Sequence, residues 1–119
     1  MAEEQGDIRV RKDGSICFVE LTGRKILEEL QIQQLGERLS ALADAEPAPR
    51  MLLDFSKVEH LSSAALGVLI TLNKQVAGNE GQLVLANIPP QIYEVFKITR
   101  LNKLFNIQSS TEEAVRALS

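Results

Sequence analysis

The stretch from Arg50 to Gly78, R-M-L-L-D-F-S-K-V-E-H-L-S-S-A-A-L-G-V-L-I-T-L-N-K-Q-V-A-G, constrains the fold more than any other part of the chain. A short apolar run, Met51 to Leu53, ends in Asp54 and Phe55, and a polar turn follows through Ser56, Lys57 and Glu59. Ser62 and Ser63 then stand just before a strongly apolar segment. Within it Ala65, Val68, Leu69, Leu72 and Val76 fall at offsets of 0, 3, 4, 7 and 11. That period sets one stripe of a helix against a core. The stretch reads as buried strand, loop, serine pair and buried helix. A serine hydroxyl at a helix start can satisfy a free backbone N–H, and added negative charge is tolerated there.

Around this unit the rest of the chain falls into order. Residues 1–7 read as a flexible, charged tail, and residues 8–119 as a single domain. Ile8 and Val10 alternate with Arg9 and Arg11, Asp13-Gly14 signals a turn, and Ile16 to Leu21 forms a second strand, so a β-hairpin is predicted. Cys17 lies in that second strand and is expected to be a small buried apolar residue rather than a reactive thiol. After Thr22-Gly23, Arg24 and Lys25 lead into a helix marked by Ile32, Leu35, Leu39 and Leu42. The run Glu46-Pro47-Ala48-Pro49 ends it, because proline lacks an N–H and clashes with the preceding turn. Gly78 is the expected C-cap of the central helix, and Gln82 to Ala86 a short strand. Pro89-Pro90 opens a helix carrying Ile92, Val95 and Phe96. Phe105 to Ile107 is a candidate edge strand, and Ser110 with Glu113 matches a capping box for a last helix. The order predicts an α/β fold: a small mixed sheet, hairpin plus parallel strands, with about four helices.

The residue inventory is poor in catalytic parts. No Cys-His cluster, H-E-x-x-H, acidic calcium loop, P-loop or G-x-G-x-x-G occurs, so neither metal nor cofactor is expected. Ser63, the single histidine His60, and Asp54 could be counted as a triad. However, base and nucleophile would then sit three residues apart, with no G-x-S-x-G elbow. No enzyme activity is expected; Asp54, at a strand end, could hold a magnesium or take part in phosphate chemistry, and more often such an Asp caps the turn that follows it. A net charge of −3, low aromatic content and no Trp argue against a nucleic-acid interface. No apolar run approaches the ~20 residues of a membrane helix, and M-A-E-E-Q-G-D lacks the features of a signal peptide. Cys17 has no internal partner and fits a reducing compartment, so a cytoplasmic location is expected.

D-F-S-K-V-E-H-L-S-S-A-A-L-G-V-L-I resembles the signature of STAS domains, the family of anti-sigma factor antagonists. L-T-G at 21–23, G-Q-L-V-L-A at 81–86 and I-P-P-Q-I-Y-E-V-F-K-I-T-R-L-N-K-L-F at 88–105 agree with it, and the likeness spans about residues 8–118. The resemblance implies a mixed sheet covered on one face by helices. It also implies a serine at the start of the second long helix that is phosphorylated by an ATP-binding anti-sigma factor kinase. That position falls on Ser63, with Ser62 as second choice. Arg24, Lys25, His60, Ser62, Ser63, Leu66 and Ile70 are the implied partner surface, with core burial the alternative for Leu66 and Ile70. The chain departs from the family pattern in two ways: Ser62 replaces an aspartate, and Arg24 and Lys25 replace acidic residues. Both remove negative charge where a kinase would dock. Two readings of the serine pair therefore stand side by side: a phosphorylated switch, or a plain cap in a STAS scaffold that is never phosphorylated.

Overall fold

The computed structural model describes the backbone of residues 2–5 and all of residues 7–118. Strands β1 (Ala2–Gln5), β2 (Ile8–Asp13) and β3 (Ile16–Leu21) pair antiparallel in sequence order. The hairpin forms where the alternation placed it, and Gly14 supplies the left-handed residue of its turn at φ 62°. Within the segment read as a tail, the backbone of Ala2–Gln5 pairs as an edge strand. Backbone pairing needs no apolar side chain, so a strand of sequence A-E-E-Q is invisible to hydrophobic periodicity, and charge suits an exposed edge.

The chain continues through β4 (Lys25–Ile26), α1 (Glu29–Asp44), β5 (Arg50–Asp54), β6 (His60–Leu61), α2 (Ser63–Gly78) and β7 (Gln82–Ala86). It ends with α3 (Pro90–Ile98), a 3-10 turn at Leu101–Lys103, β8 (Asn106–Gln108) and α4 (Thr111–Leu118). Among the described residues the main sheet has six strands in the order β1-β2-β3-β5-β7-β8, with β3, β5, β7 and β8 mutually parallel. It is a mixed α/β fold with β8 at an edge.

Strand β5 explains how the helices are distributed. Met51 and Leu53 face one core with Val19, Leu21, Leu85 and residues of α1, α2 and α3. There Phe96 meets Phe55 and Phe105 edge-on, at centroid distances of 6.2 and 5.8 Å. Leu52 and Val84 face the other side, where Ala114 and Leu118 of α4 cover them. The helices thus divide three to one instead of sharing one face. The cause lies in β5 and β7, whose apolar runs are unbroken, so both faces of the sheet centre need cover.

The end of α2 is closed more elaborately than a single glycine would do. Gly78 is its last helical residue and Asn79 its C-cap, with Glu80 left-handed at φ 61°. The Glu80 N–H donates to Ala77 O at 3.0 Å and the Gly81 N–H to Val76 O at 2.8 Å, a Schellman arrangement. Gly81 is required here for space. A Cβ on it would lie 2.6 Å from the Pro49 ring and closer still to the Pro49 carbonyl oxygen. Asn79 Nδ2 donates to Ala43 O at 3.1 Å and to Asp44 Oδ1 at 3.0 Å, clasping α2 to the end of α1.

Candidate functional site

The two serines at the start of α2 have different employment. Ser62 is the N-cap, with extended backbone, and its Oγ accepts the Ala65 N–H at 3.2 Å. Its own N–H donates to Ile26 O at 3.1 Å, and the residue is half-buried. Ser63 is the first residue of the helix proper, exposed, and its hydroxyl makes no hydrogen bond among the described residues. The first turn, Ser63 to Leu66, carries no carboxylate. An anion there would meet the partial positive charge of the helix start without repulsion from the helix itself.

A two-stranded parallel unit frames this spot. β4 pairs with β6 in the register Lys25 to His60 and Ile26 to Leu61. Arg24 O accepts the N–H groups of Glu59 at 2.7 Å and His60 at 3.0 Å. Ile26 is fully buried and anchors β4, while Arg24, Lys25 and His60 are exposed beside Ser62 and Ser63. Arg24 lies 3.9 Å from Glu59, a loose surface ion pair. Gln31 locks β4 to α1: its Nε2 donates to Lys25 O at 2.8 Å and its Oε1 accepts the Glu28 N–H at 3.2 Å. Glu28 is the N-cap of α1 and completes a capping box with Gln31. The pairing of β4 with β6 was not legible in the sequence because two residues carry no period. The one signal was Ile26, an apolar residue directly after two cations.

Leu66 does not belong to an exposed patch. It is 5% exposed and sits in the main core. The buried residues of α2 are Ala65, Leu66, Leu69, Leu72 and Val76, so the stripe is rotated from the one the spacing predicted, and Val68 is only partly buried. A helix that packs against a sheet and a neighbouring helix together buries a wider arc than one stripe. Ile70 keeps part of its surface while packing on the same core. An open groove of about 810 Å³ runs between α1 and α2, lined by Gly36, Ala64, Gly67, Val68 and Thr71 among others, and Ser63 is not part of its lining.

The catalytic alternatives are not assembled. Asp54 Oδ1 accepts the Ser56 N–H at 2.9 Å and Asn87 Nδ2 at 3.2 Å, which is the turn-capping role. Asn87 Nδ2 also donates to Thr111 Oγ1 at 2.9 Å, joining the ends of β5 and β7 to the start of α4. Among the described residues no hydrogen bond joins His60 to Asp54 or Ser63, and no group of three or more His, Cys, Asp or Glu could hold a metal. Cys17 is buried, and that burial raises its thiol pKa, which keeps it a thiol. No helix among the described residues is long and apolar enough to cross a membrane.

The STAS domain family model matches residues 7–114. The chain belongs to the STAS domain family. Bordetella bronchiseptica BtrV, whose name describes an anti-sigma factor antagonist, is 32% identical to this STAS domain over 92 residues, 77% of this chain and 78% of BtrV. An anti-sigma-factor antagonist (STAS) domain protein from Planctomyces limnophilus superposes with a TM-score of 0.84 at 22% identity, covering 94% of this chain and 97% of that one. The Bacillus cell fate determinant SpoIIAA in its phosphorylated form gives 0.68 at 15% identity, covering 94% and 99%. The chain is thus a STAS domain resembling anti-sigma factor antagonists, and its mixed sheet with four helices is the fold of those structures.

Proposed function

We propose that this STAS domain is a cytoplasmic regulatory binding module, switched by phosphorylation of Ser63 by a partner anti-sigma factor serine kinase. One observation carries this: capping of α2 falls to Ser62, which leaves the Ser63 hydroxyl exposed and uncommitted. In the proposed step Ser63 Oγ attacks the γ-phosphorus of ATP bound by the partner. The new O–P bond forms as the bond to the β-phosphate oxygen breaks, ADP leaves, and the hydroxyl proton passes to a base on the partner. The likeness to BtrV and to a fold neighbour solved in a phosphorylated form supports this choice of partner class.

The physics of the switch is local. A phosphate adds about −1.5 to −2 charges at neutral pH. The helix start tolerates that charge, so the domain itself stays folded. A partner seated on Arg24, Lys25, His60 and Ile70 would instead meet a large charge at its contact. A coupling of about 3 kcal/mol changes affinity roughly 150-fold. Arg24 and Lys25, where the family has acidic residues, select a kinase whose docking surface is itself acidic. Lys25 lies on β4 and Arg24 directly precedes it, and the next residue of β4, Ile26, accepts the Ser62 N–H.

The test is intact mass before and after incubation with ATP and a partner recovered by pull-down. Gain of one phosphate in wild type and in Ser62→Ala, with none in Ser63→Ala, supports the switch. The absence of any gain, or a gain mapping elsewhere, removes it. A second reading, a STAS scaffold without phosphorylation, is favoured by Ser62 standing where the family has aspartate. A complex that forms equally well with Ser63→Glu would establish that reading instead.

A further inference from the structure

Four large apolar side chains are exposed among the described residues, and they fall into two pairs of opposite electrostatic setting. Leu27 and Leu30, 49% and 65% exposed, enclose Glu28 and Glu29 at the start of α1. From Ile26 to Glu37 this surface carries three carboxylates, Glu28, Glu29 and Glu37, and no cation. Nearby Arg24 is turned to Glu59, and Lys25 sits on β4. Ile98 and Leu104, 76% and 46% exposed, lie instead among Lys97, Arg100 and Lys103. Lys97 reaches Glu94 only at 3.9 Å, and among the described residues Arg100 and Lys103 meet no carboxylate. Single exposed leucines are ordinary on protein surfaces. With Lys25 counted the first setting stays net acidic, and with Glu94 counted the second stays net basic. Two apolar pairs in settings of opposed net charge are not explained by chance exposure.

Topology puts the two pairs at opposite ends of the domain. α1 starts beside β4 and β6, past the C-terminal ends of β3 and β5. The end of α3 and the 3-10 turn immediately precede β8, which runs parallel to β7, so they lie where the parallel strands begin. One copy cannot bring its two pairs together, and a two-fold contact made through either end alone would set like against like. A second copy placed end to end matches leucine to isoleucine and carboxylate to cation.

We propose that these ends form a head-to-tail contact between copies of this chain, the acidic Leu27–Leu30 surface seating on the basic Lys97–Leu104 ridge. The contact is open-ended, because each copy keeps one unused end. It is weak, because two residue pairs cover far less than a standard interface of about 1,600 Å². Neither surface includes Ser63, so this proposal and the phosphorylation switch stand or fall separately.

Sedimentation velocity over a concentration series tests it, with the melting temperature of each variant confirming its fold. Wild type is expected to grow in mean mass with concentration and to lose that growth at high salt. Ile98→Ser with Lys103→Glu, and separately Leu27→Ser with Leu30→Ser, should each weaken association by about tenfold or more. An equimolar mixture of the two variants should form a heterodimer and stop there, since each retains the end that the other lacks. A wild type that stays monomeric throughout overturns the proposal, as does a mixture that stays monomeric or variants that associate like wild type. Pelleting of monomeric wild type with phosphatidylcholine–phosphatidylglycerol vesicles, lost in the ridge variant, would assign the ridge to a lipid surface and equally overturn it.

Discussion

The two ends of α2 are built on opposite terms. At its C-terminus Gly81 is pressed against Pro49, two backbone hydrogen bonds close the Schellman turn, and Asn79 ties the helix to α1. At its N-terminus one hydroxyl, that of Ser62, caps a single N–H, and the next residue faces solvent. Both ends belong to one helix buried along Leu66, Leu69, Leu72 and Val76. A rigid helix fixed at one end can present a group at the other without spending that group on stability.

That contrast can be broken at its strong end first. Gly81→Ala forces a side chain into the Pro49 backbone, and we expect a loss of about 3 kcal/mol in chemical denaturation, the upper range for overpacking. Asn79→Ala removes the clasp between the helices and should cost about 1 to 2 kcal/mol by the same measurement. Ser62→Ala, at the lightly built end, should cost about 1 kcal/mol, the usual worth of a cap. If Ser62→Ala proved as damaging as Gly81→Ala, the two ends would not differ as described.

Acid sharpens the same comparison. The Asp44 carboxylate, held by Gln75 and then by Asn79, has its pKa lowered below the ordinary carboxylate value. A lowered folded pKa means that the contribution is present above the unfolded pKa and is lost as pH falls through the folded value. Stability measured across the acid range should therefore decline less steeply in Asp44→Asn than in wild type, while Ser62→Ala keeps the wild-type slope. The smallest effect on stability belongs to Ser63→Ala. It should change unfolding by less than about 0.5 kcal/mol, as for exposed sites without partners, while abolishing phosphate uptake in the mass measurement. A large loss of stability in Ser63→Ala would show that its hydroxyl is structural.

Much of the fold was readable because long elements repeat their pattern. The hairpin, α1 with its stop before Pro47, α2 and β7 each carry enough apolar periodicity to be located. Short or polar elements do not. β1 has no apolar pattern, and β4 and β6 have two residues each. The site was legible to the level of the serine pair, since any helix start with two serines offers two hydroxyls. Which of them would be the cap was not legible, because the choice depends on where the helical backbone begins, and that is set by packing and by the Ser62 N–H held on Ile26 O.

The sequence alone determined the order of the long elements and the position of a serine pair at a helix mouth. These follow from local rules: period, proline, turn chemistry and cap. Tertiary structure alone decided the pairing of Lys25 with His60 in a second small sheet, the choice of burial for Leu66, and the placing of α4 on the far face. Each depends on which distant segments share one core, and burial is a property of the whole packed chain rather than of any window along it.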